Sequence, residues 1–118
     1  MNRQRYAQNG LILEIEQEKT EARIVWKGVS QDRFPGQFLN PLVQEWAAKL
    51  KDVAVTVDLR QLEYMNSATV QPLISLIRRL DTSGMPIRVL FDDVDWQKTH
   101  RNCMSAIART LRHVSVNK

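Results

Sequence analysis

The chain has 118 residues, of which 43% are hydrophobic and 25% charged, and its formal net charge is +4. This size predicts one domain that folds without a disulfide or a structural metal, and the presence of one cysteine, Cys103, excludes a disulfide-rich secreted scaffold. The first ten residues lack the apolar core of a signal peptide and no apolar run could span a bilayer, so we expect a cytoplasmic protein without membrane insertion.

The basic residues are spread along the sequence. A nucleic-acid groove typically combines clustered lysines and arginines with aromatic side chains, and no stretch of this sequence has that composition. The cations near the end, Arg109, Arg112, His113 and Lys118, suit the negative end of a helix dipole. We therefore expect no nucleic-acid binding.

The N-terminal third predicts a β-hairpin. Apolar and polar residues alternate near the end of Leu11–Glu16 and more weakly in Ala22–Trp26, and the residues between them, 17–21, are all polar. We expect residues 1–9 to be a flexible N-terminus. Residues 29–36 are predicted to form a loop, because they contain proline, glycine and aspartate as breakers.

From Phe38 to Leu50 the apolar residues recur at three- and four-residue steps, which predicts an amphipathic helix. Pro41 fits best in the first turn of a helix, so Phe38 and Leu39 are expected to lie just outside it. Residues 53–59 are rich in valine that alternates with small residues, which favours a central strand covered on both faces.

A second amphipathic helix is predicted after Ser67. It is followed by Ser83-Gly84, where Gly84 suits a left-handed position at the helix C-terminus, and residues 87–91 then have the composition of a strand. The apolar stripe of this helix consists of Val70, Leu73, Ile74, Ile77 and Leu80.

A third helix is predicted to open at residues 92–95, because acidic residues in a first turn are favoured by the helix dipole. Residues 114–118 are expected to be a short strand or a tail. The predicted apolar stripe of the third helix is Trp96, His100, Cys103, Ile107 and Leu111.

This order of elements predicts an α/β fold. Strand–helix–strand units favour right-handed crossovers and parallel strands. We therefore expect a single domain over residues 1–118, with a mixed sheet of four or five strands, an N-terminal hairpin and three main helices packed mainly on one face.

The common enzyme signatures are absent from the sequence: there is no Walker loop, no GxGxxG and no HExxH. His100 lies on an apolar stripe, where packing is the commoner role, and with Cys103 it would supply too few ligands for a structural zinc site. The acids Asp92, Asp93 and Asp95 could bind a hard cation, but a helix start explains them as well. We expect no catalytic residues, no metal and no cofactor.

Three small polar residues, Asn66, Ser67 and Thr69, stand between the central strand and the second helix. All three residue types are favoured helix N-caps, and capping is the commoner role for such positions. A hydroxyl at a helix N-terminus can also carry a phosphate, which the unpaired N–H groups and the positive end of the dipole stabilise. Position alone favours capping over phosphorylation.

The middle of the chain resembles the central part of a STAS domain, the fold of anti-sigma factor antagonists; the matching stretch is VTVDLRQLEYMNSATVQPLISLIRRLDTSGMPIRVLF, residues 55–91. Asp58-Leu59 matches the aspartate–leucine pair that ends the family's strand, and Asn66-Ser67 falls on its acid–serine position. Two residues depart from the family: Asn66 replaces the acid, and Thr69 stands where a glycine is usual. In this respect the chain is most similar to STAS-like regulatory phosphoproteins of the Sia type.

The resemblance implies a STAS-like, non-enzymatic signalling module in which Ser67 is the phosphoacceptor and Thr69 the rival hydroxyl. It implies a kinase and a phosphatase of the partner-switching type, an output regulatory protein, and a chain that is a monomer or a weak dimer. Because Pro72 would lie beyond the first turn of a helix that starts at Ser67, we expect either that the helix starts near Ala68 or Thr69 or that its first turn is distorted. The partner-binding residues are expected to be Asn66, Ser67, Thr69, Gln71, Ser75 and Arg78.

A different class of function is also compatible with this resemblance. Stand-alone STAS proteins resemble small cytosolic subunits that dock on the ATPase of ATP-binding-cassette lipid transporters. That alternative needs a docking face and no phosphorylation.

Overall fold

The computed structural model describes residues 2–117, which form one mixed sheet and three helices. The elements in chain order are β1 (Asn2–Gln8), β2 (Leu11–Gln17), β3 (Glu21–Ser30), α1 (Gly36–Lys49), β4 (Ala54–Met65), α2 (Ser67–Thr82), β5 (Ile87–Leu90), α3 (Asp95–Ala108) and β6 (Val114–Val116).

The six strands lie in the sheet in the order in which they occur in the chain. The pairs β1–β2 and β2–β3 are antiparallel, whereas β3 to β6 run parallel to one another. The mixed sheet, the hairpin of β2 and β3 and the three helices are confirmed. The sheet has six strands instead of the four or five predicted, and residues 114–116 are the short strand allowed for the C-terminus.

The prediction of a flexible N-terminus over residues 1–9 is wrong for residues 2–8, which pair with β2 along its whole length. Asn9 and Gly10, both with positive φ, join the two strands in a two-residue turn, the connection that Asn-Gly favours most. The Tyr6 ring packs edge-to-face on Trp46 at 6.0 Å, which ties this edge strand to α1.

One face of the sheet is buried under the helices and the other is open. Along β2 to β5 buried apolar side chains such as Leu13, Ile24 and Val57 alternate with more exposed or charged ones. The second face of β4, which was predicted to be covered, instead carries Thr56 and Asp58. Asp58 is buried there by neighbouring arginines and not by a second layer of helices.

β4 continues to Met65, six residues beyond its predicted end at Leu59. Its pairing with β3 slips twice, between Val25 and Lys27 and again between Gly28 and Val29. Each slip is a β-bulge or a similar irregularity of the pairing, and such features bend a strand and re-aim the side chains that follow. The last residues of β4 therefore reach the start of α2 without an intervening loop.

Two helices start earlier than predicted, and each contains a proline at its sixth residue. α1 begins at Gly36, so Phe38 and Leu39 lie inside it and Leu39 is buried. α2 begins at Ser67, so a start at Ala68 or Thr69 is wrong. A proline so close to a helix start removes one hydrogen bond, and in α2 a side-chain cap and the burial of Pro72 offset that loss.

The inward face of α3 is rotated from the predicted stripe. The fully buried side chains of this helix are Gln97 and Met104, while Cys103 is exposed. The helix begins at Asp95 and not at Asp92, and Gln97 turns inward because it hydrogen-bonds to backbone groups of β4. Hydrophobic periodicity cannot identify a buried polar side chain of this kind.

Candidate functional site

The parallel strands β3, β4 and β5 all end at one side of the sheet, where the three predicted polar residues lie. We call this side the carboxyl edge; it consists of residues 31–35, 63–68 and 91–96. In open parallel sheets this is the side at which binding sites are usually built.

Asn66 is the N-cap of α2 and holds three parts of the chain together. Its Oδ1 accepts hydrogen bonds from the Thr69 N–H at 3.1 Å and from the Thr69 hydroxyl at 2.7 Å. Its Nδ2 donates to the Asp32 carbonyl at 2.9 Å, and its backbone N–H donates to the Ser30 carbonyl at 2.9 Å. The capping role that position alone favoured therefore belongs to Asn66.

Thr69 is buried, with an exposed fraction of 0%. Its hydroxyl lies 2.6 Å from the Ser30 hydroxyl, which is also buried. Because the Thr69 hydroxyl hydrogen is donated to Asn66, Ser30 is the donor in this second bond. Thr69 thus lies beneath the site, and its predicted place among the partner contacts is incompatible with this burial.

Ser67 is the first residue of α2 and is exposed. Within the described residues its hydroxyl makes no hydrogen bond, since Asn66 supplies the cap. The unpaired N–H groups of the first helical turn and the positive end of the helix dipole lie beside it, an environment that stabilises an anion. Chemically, the position suits a hydroxyl that accepts a phosphate.

The remaining residues predicted to bind a partner lie along the outer side of α2. Gln71 and Arg78 are exposed and Ser75 is partly exposed, whereas Asn66 is half-buried at the helix start. Arg78 also lines an open groove between α1 and α2, opposite Gln44. Ser67, Gln71, Ser75 and Arg78 follow one another at three- or four-residue steps, so they form one continuous stripe.

A buried carboxylate, missed in the sequence, supports the central strand below the site. Asp58 is 1% exposed and accepts hydrogen bonds from Arg23 at 2.5 Å and from the Arg60 side chain at 2.9 and 3.0 Å. Burial alone raises the pKa of Asp58, but the hydrogen bonds and charge of Arg60, together with Arg23, outweigh it and hold this pKa below its usual value. The carboxylate is therefore ionised and fully paired.

The buried side-chain amide of Gln97 holds the irregular segment of β4 in place. The Gln97 Nε2 donates to the carbonyls of Leu59 and Leu62, each at 3.0 Å, and its Oε1 accepts from the Asp92 N–H at 2.6 Å. Leu59 and Leu62 lie within the segment where β4 slips against β3. Gln97 thus satisfies carbonyls at this irregular segment and ties the loop after β5 to β4.

The candidate metal residues are not brought together. Among residues 2–117 there is no group of three or more His, Cys, Asp or Glu side chains placed to hold a metal ion. His100 packs edge-to-face on Trp96 at 5.8 Å, and Cys103 is exposed. No helix within the described part of the chain is both long and apolar enough to traverse a bilayer.

Comparison with known proteins identifies the fold. No protein-family model and no curated protein sequence matches the chain. The structure is similar to the crystal structure of an anti-sigma factor antagonist from Mycobacterium paratuberculosis, with a TM-score of 0.64 and 14% sequence identity over 82% of this chain and 81% of that one. The STAS-like fold implied by residues 55–91 is therefore confirmed.

Proposed function

We propose that this chain, which has the fold of an anti-sigma factor antagonist, is a non-enzymatic, cytoplasmic signalling module. Phosphorylation of Ser67 switches its binding to a partner protein, so that the partner binds the unmodified form and leaves the modified one, or the reverse. A kinase, a phosphatase and an output regulatory protein are the implied partners. The observation that carries the proposal is the hydroxyl of Ser67, the first residue of α2. It is exposed and makes no hydrogen bond within the described residues, because Asn66 caps the helix.

A phosphate at this position adds about two negative charges and three acceptor oxygens to the surface. The helix start stabilises that charge locally, and the stripe of α2 that follows Ser67 is continuous with it. The modification therefore changes the charge of the surface that a partner would contact, without disturbing the buried hydrogen bonds of Asn66 and Thr69.

We expect Ser67→Ala to abolish phosphate incorporation when the protein is isolated from its source cell or treated with a co-encoded kinase. The unfolding free energy should change by less than about 0.5 kcal/mol, because Ser67 is exposed and makes no side-chain contact that alanine removes. Phosphopeptide mapping and thermal unfolding measure the two effects.

Thr69→Val is the matched control for this prediction. It removes the rival hydroxyl with little change of shape, should leave phosphate incorporation intact, and should destabilise the protein by about 1–3 kcal/mol because Asn66 and Ser30 lose a buried partner. Phosphate found on Thr69 alone would contradict the assignment. If a co-encoded kinase adds no phosphate at all, docking as an accessory subunit on a transporter ATPase becomes the better explanation.

We expect Arg78→Glu to weaken co-purification of the partner with the tagged chain and to leave the unfolding temperature nearly unchanged. Arg78 is exposed on the stripe of α2, where a charge contributes more to recognition than to folding. Arg88→Glu makes the same charge change on the open sheet face and should have no effect on partner recovery. A collapse in stability with Arg78→Glu would show that the side chain is structural.

A further inference from the structure

The large apolar side chains that are exposed converge on the carboxyl edge. Among the described residues these are Phe34, Tyr64 and Val94, with exposed fractions of 67%, 46% and 38%. They lie after β3, at the end of β4 and after β5. The Trp96 ring, partly exposed, lies 6.0 Å from that of Tyr64 and extends the patch. Single exposed apolar residues are ordinary, but their convergence at one edge indicates an interaction surface.

The same edge is acidic although the whole chain has a formal net charge of +4. Its cations are Arg33 and, one turn into α3, Lys98, which lies 3.5 Å from Asp93 and 3.8 Å from Asp95. Arg60 also lies near Asp92, but its guanidinium is paired with the buried Asp58. The carboxylates outnumber these cations; they are Asp32, Glu63, Asp92, Asp93 and Asp95. Such a surface repels the phosphates of nucleic acids and of anionic lipids and attracts a positively charged partner.

We propose that the carboxyl edge is the docking surface for a positively charged protein segment that brings at least one apolar side chain. The apolar side chain packs among Phe34, Tyr64 and Trp96, while lysines or arginines of the segment face the surrounding carboxylates. A desolvated apolar contact inside a charged rim is the usual arrangement of a protein interface.

The edge is held in place before any partner binds. Asn66 fixes the loop of Phe34 through the Asp32 carbonyl, and Asn9 holds the Asp32 carboxylate through two contacts of 3.2 Å. Gln97 fixes the Asp92 backbone on the far side. Because these segments are already ordered, binding costs little conformational entropy. The inference deepens the proposed function by naming the chemistry of the partner segment that contacts the carboxyl edge; it makes no statement about the part of the partner that contacts Arg78, and docking itself needs no phosphate on Ser67.

The test uses the full chain, unphosphorylated and labelled with nitrogen-15, and two synthetic peptides. The peptides have the same length and the same leucine and phenylalanine content, but one carries lysine at every charged position and the other glutamate. We expect the lysine peptide to cause saturable shifts of the amides of residues 33–34, 63–68 and 92–98, and the affinity to fall as salt is added. The glutamate peptide should cause none.

Two variants locate the interaction. Phe34→Ala and Asp93→Lys should each weaken binding of the lysine peptide by about fivefold or more. Glu18→Lys makes the same charge change as Asp93→Lys, but in the turn at the opposite side of the sheet, and should leave the affinity unchanged. Shifts on another surface, equal binding of both peptides, or self-association of the chain through this edge would overturn the proposal. These outcomes are independent of phosphorylation and so separate its failure from that of the proposed function.

Discussion

Gly28→Ala is expected to lower the unfolding free energy by at least about 4 kcal/mol, enough to prevent stable folding of many domains of this size. Gly28 has a φ of +82°, and a Cβ built on it would lie 2.1 Å from the backbone oxygen of Gly10. That oxygen accepts the Val29 N–H at 3.0 Å, so relief of the clash breaks a hydrogen bond and shifts the turn between β1 and β2. Chemical denaturation of the purified variant measures the loss.

Gly84→Ala separates the backbone conformation from the clash. Gly84 has a similar φ of +83°, but nothing lies within 4 Å of its added Cβ. This variant should therefore lose only the cost of a left-handed residue, about 1–2 kcal/mol. Equal losses in the two variants would mean that the contact between Gly28 and Gly10 does not constrain the hairpin.

Asp58→Asn is expected to destabilise the protein at neutral pH by about 2–3 kcal/mol, because Arg23 and Arg60 both lose the negative charge with which they pair. The value lies below the cost of about 3–5 kcal/mol for removing one partner of a fully buried ion pair, since 41% of the Arg23 side chain and 48% of the Arg60 side chain are exposed and remain solvated. Urea denaturation at neutral pH measures the difference.

The effect of pH provides an independent readout for Asp58. Its pKa in the folded protein lies below its usual value, so the folded state binds this proton less readily than the unfolded state. The stabilisation is therefore complete above the unfolded pKa of about 3.9 and is lost as pH falls through the folded pKa. The wild type should lose stability on acidification, and Asp58→Asn should lose less.

Asp93→Asn is the control for the pH effect, because the Asp93 side chain is 82% exposed and its nearest cation is 3.5 Å away. Its stability profile should follow that of the wild type. If Asp58→Asn also follows the wild type, the paired carboxylate contributes nothing to the acid sensitivity of the fold.

The helices and the central strand could be predicted from the sequence because each follows from a local pattern. The three- and four-residue spacing in α2, and Gly84 at its C-terminus, determine a helix wherever its apolar stripe is buried. β1 could also have been predicted, because the Asn9-Gly10 pair is the strongest short-range signal for a hairpin. The residues before this pair, however, do not alternate clearly between apolar and polar.

The sequence by itself determined a STAS-like α/β fold and placed Asn66, Ser67 and Thr69 at a helix start. Only the tertiary structure decided among their roles, because Thr69 of α2 is buried against Ser30 of β3 and Asn66 hydrogen-bonds to the loop that contains Asp32. The same limit applies to Asp58, whose partner Arg23 lies on the neighbouring strand, 35 positions away in the chain. Local patterns specify which elements form, whereas burial and pairing depend on the register between strands that are distant in sequence.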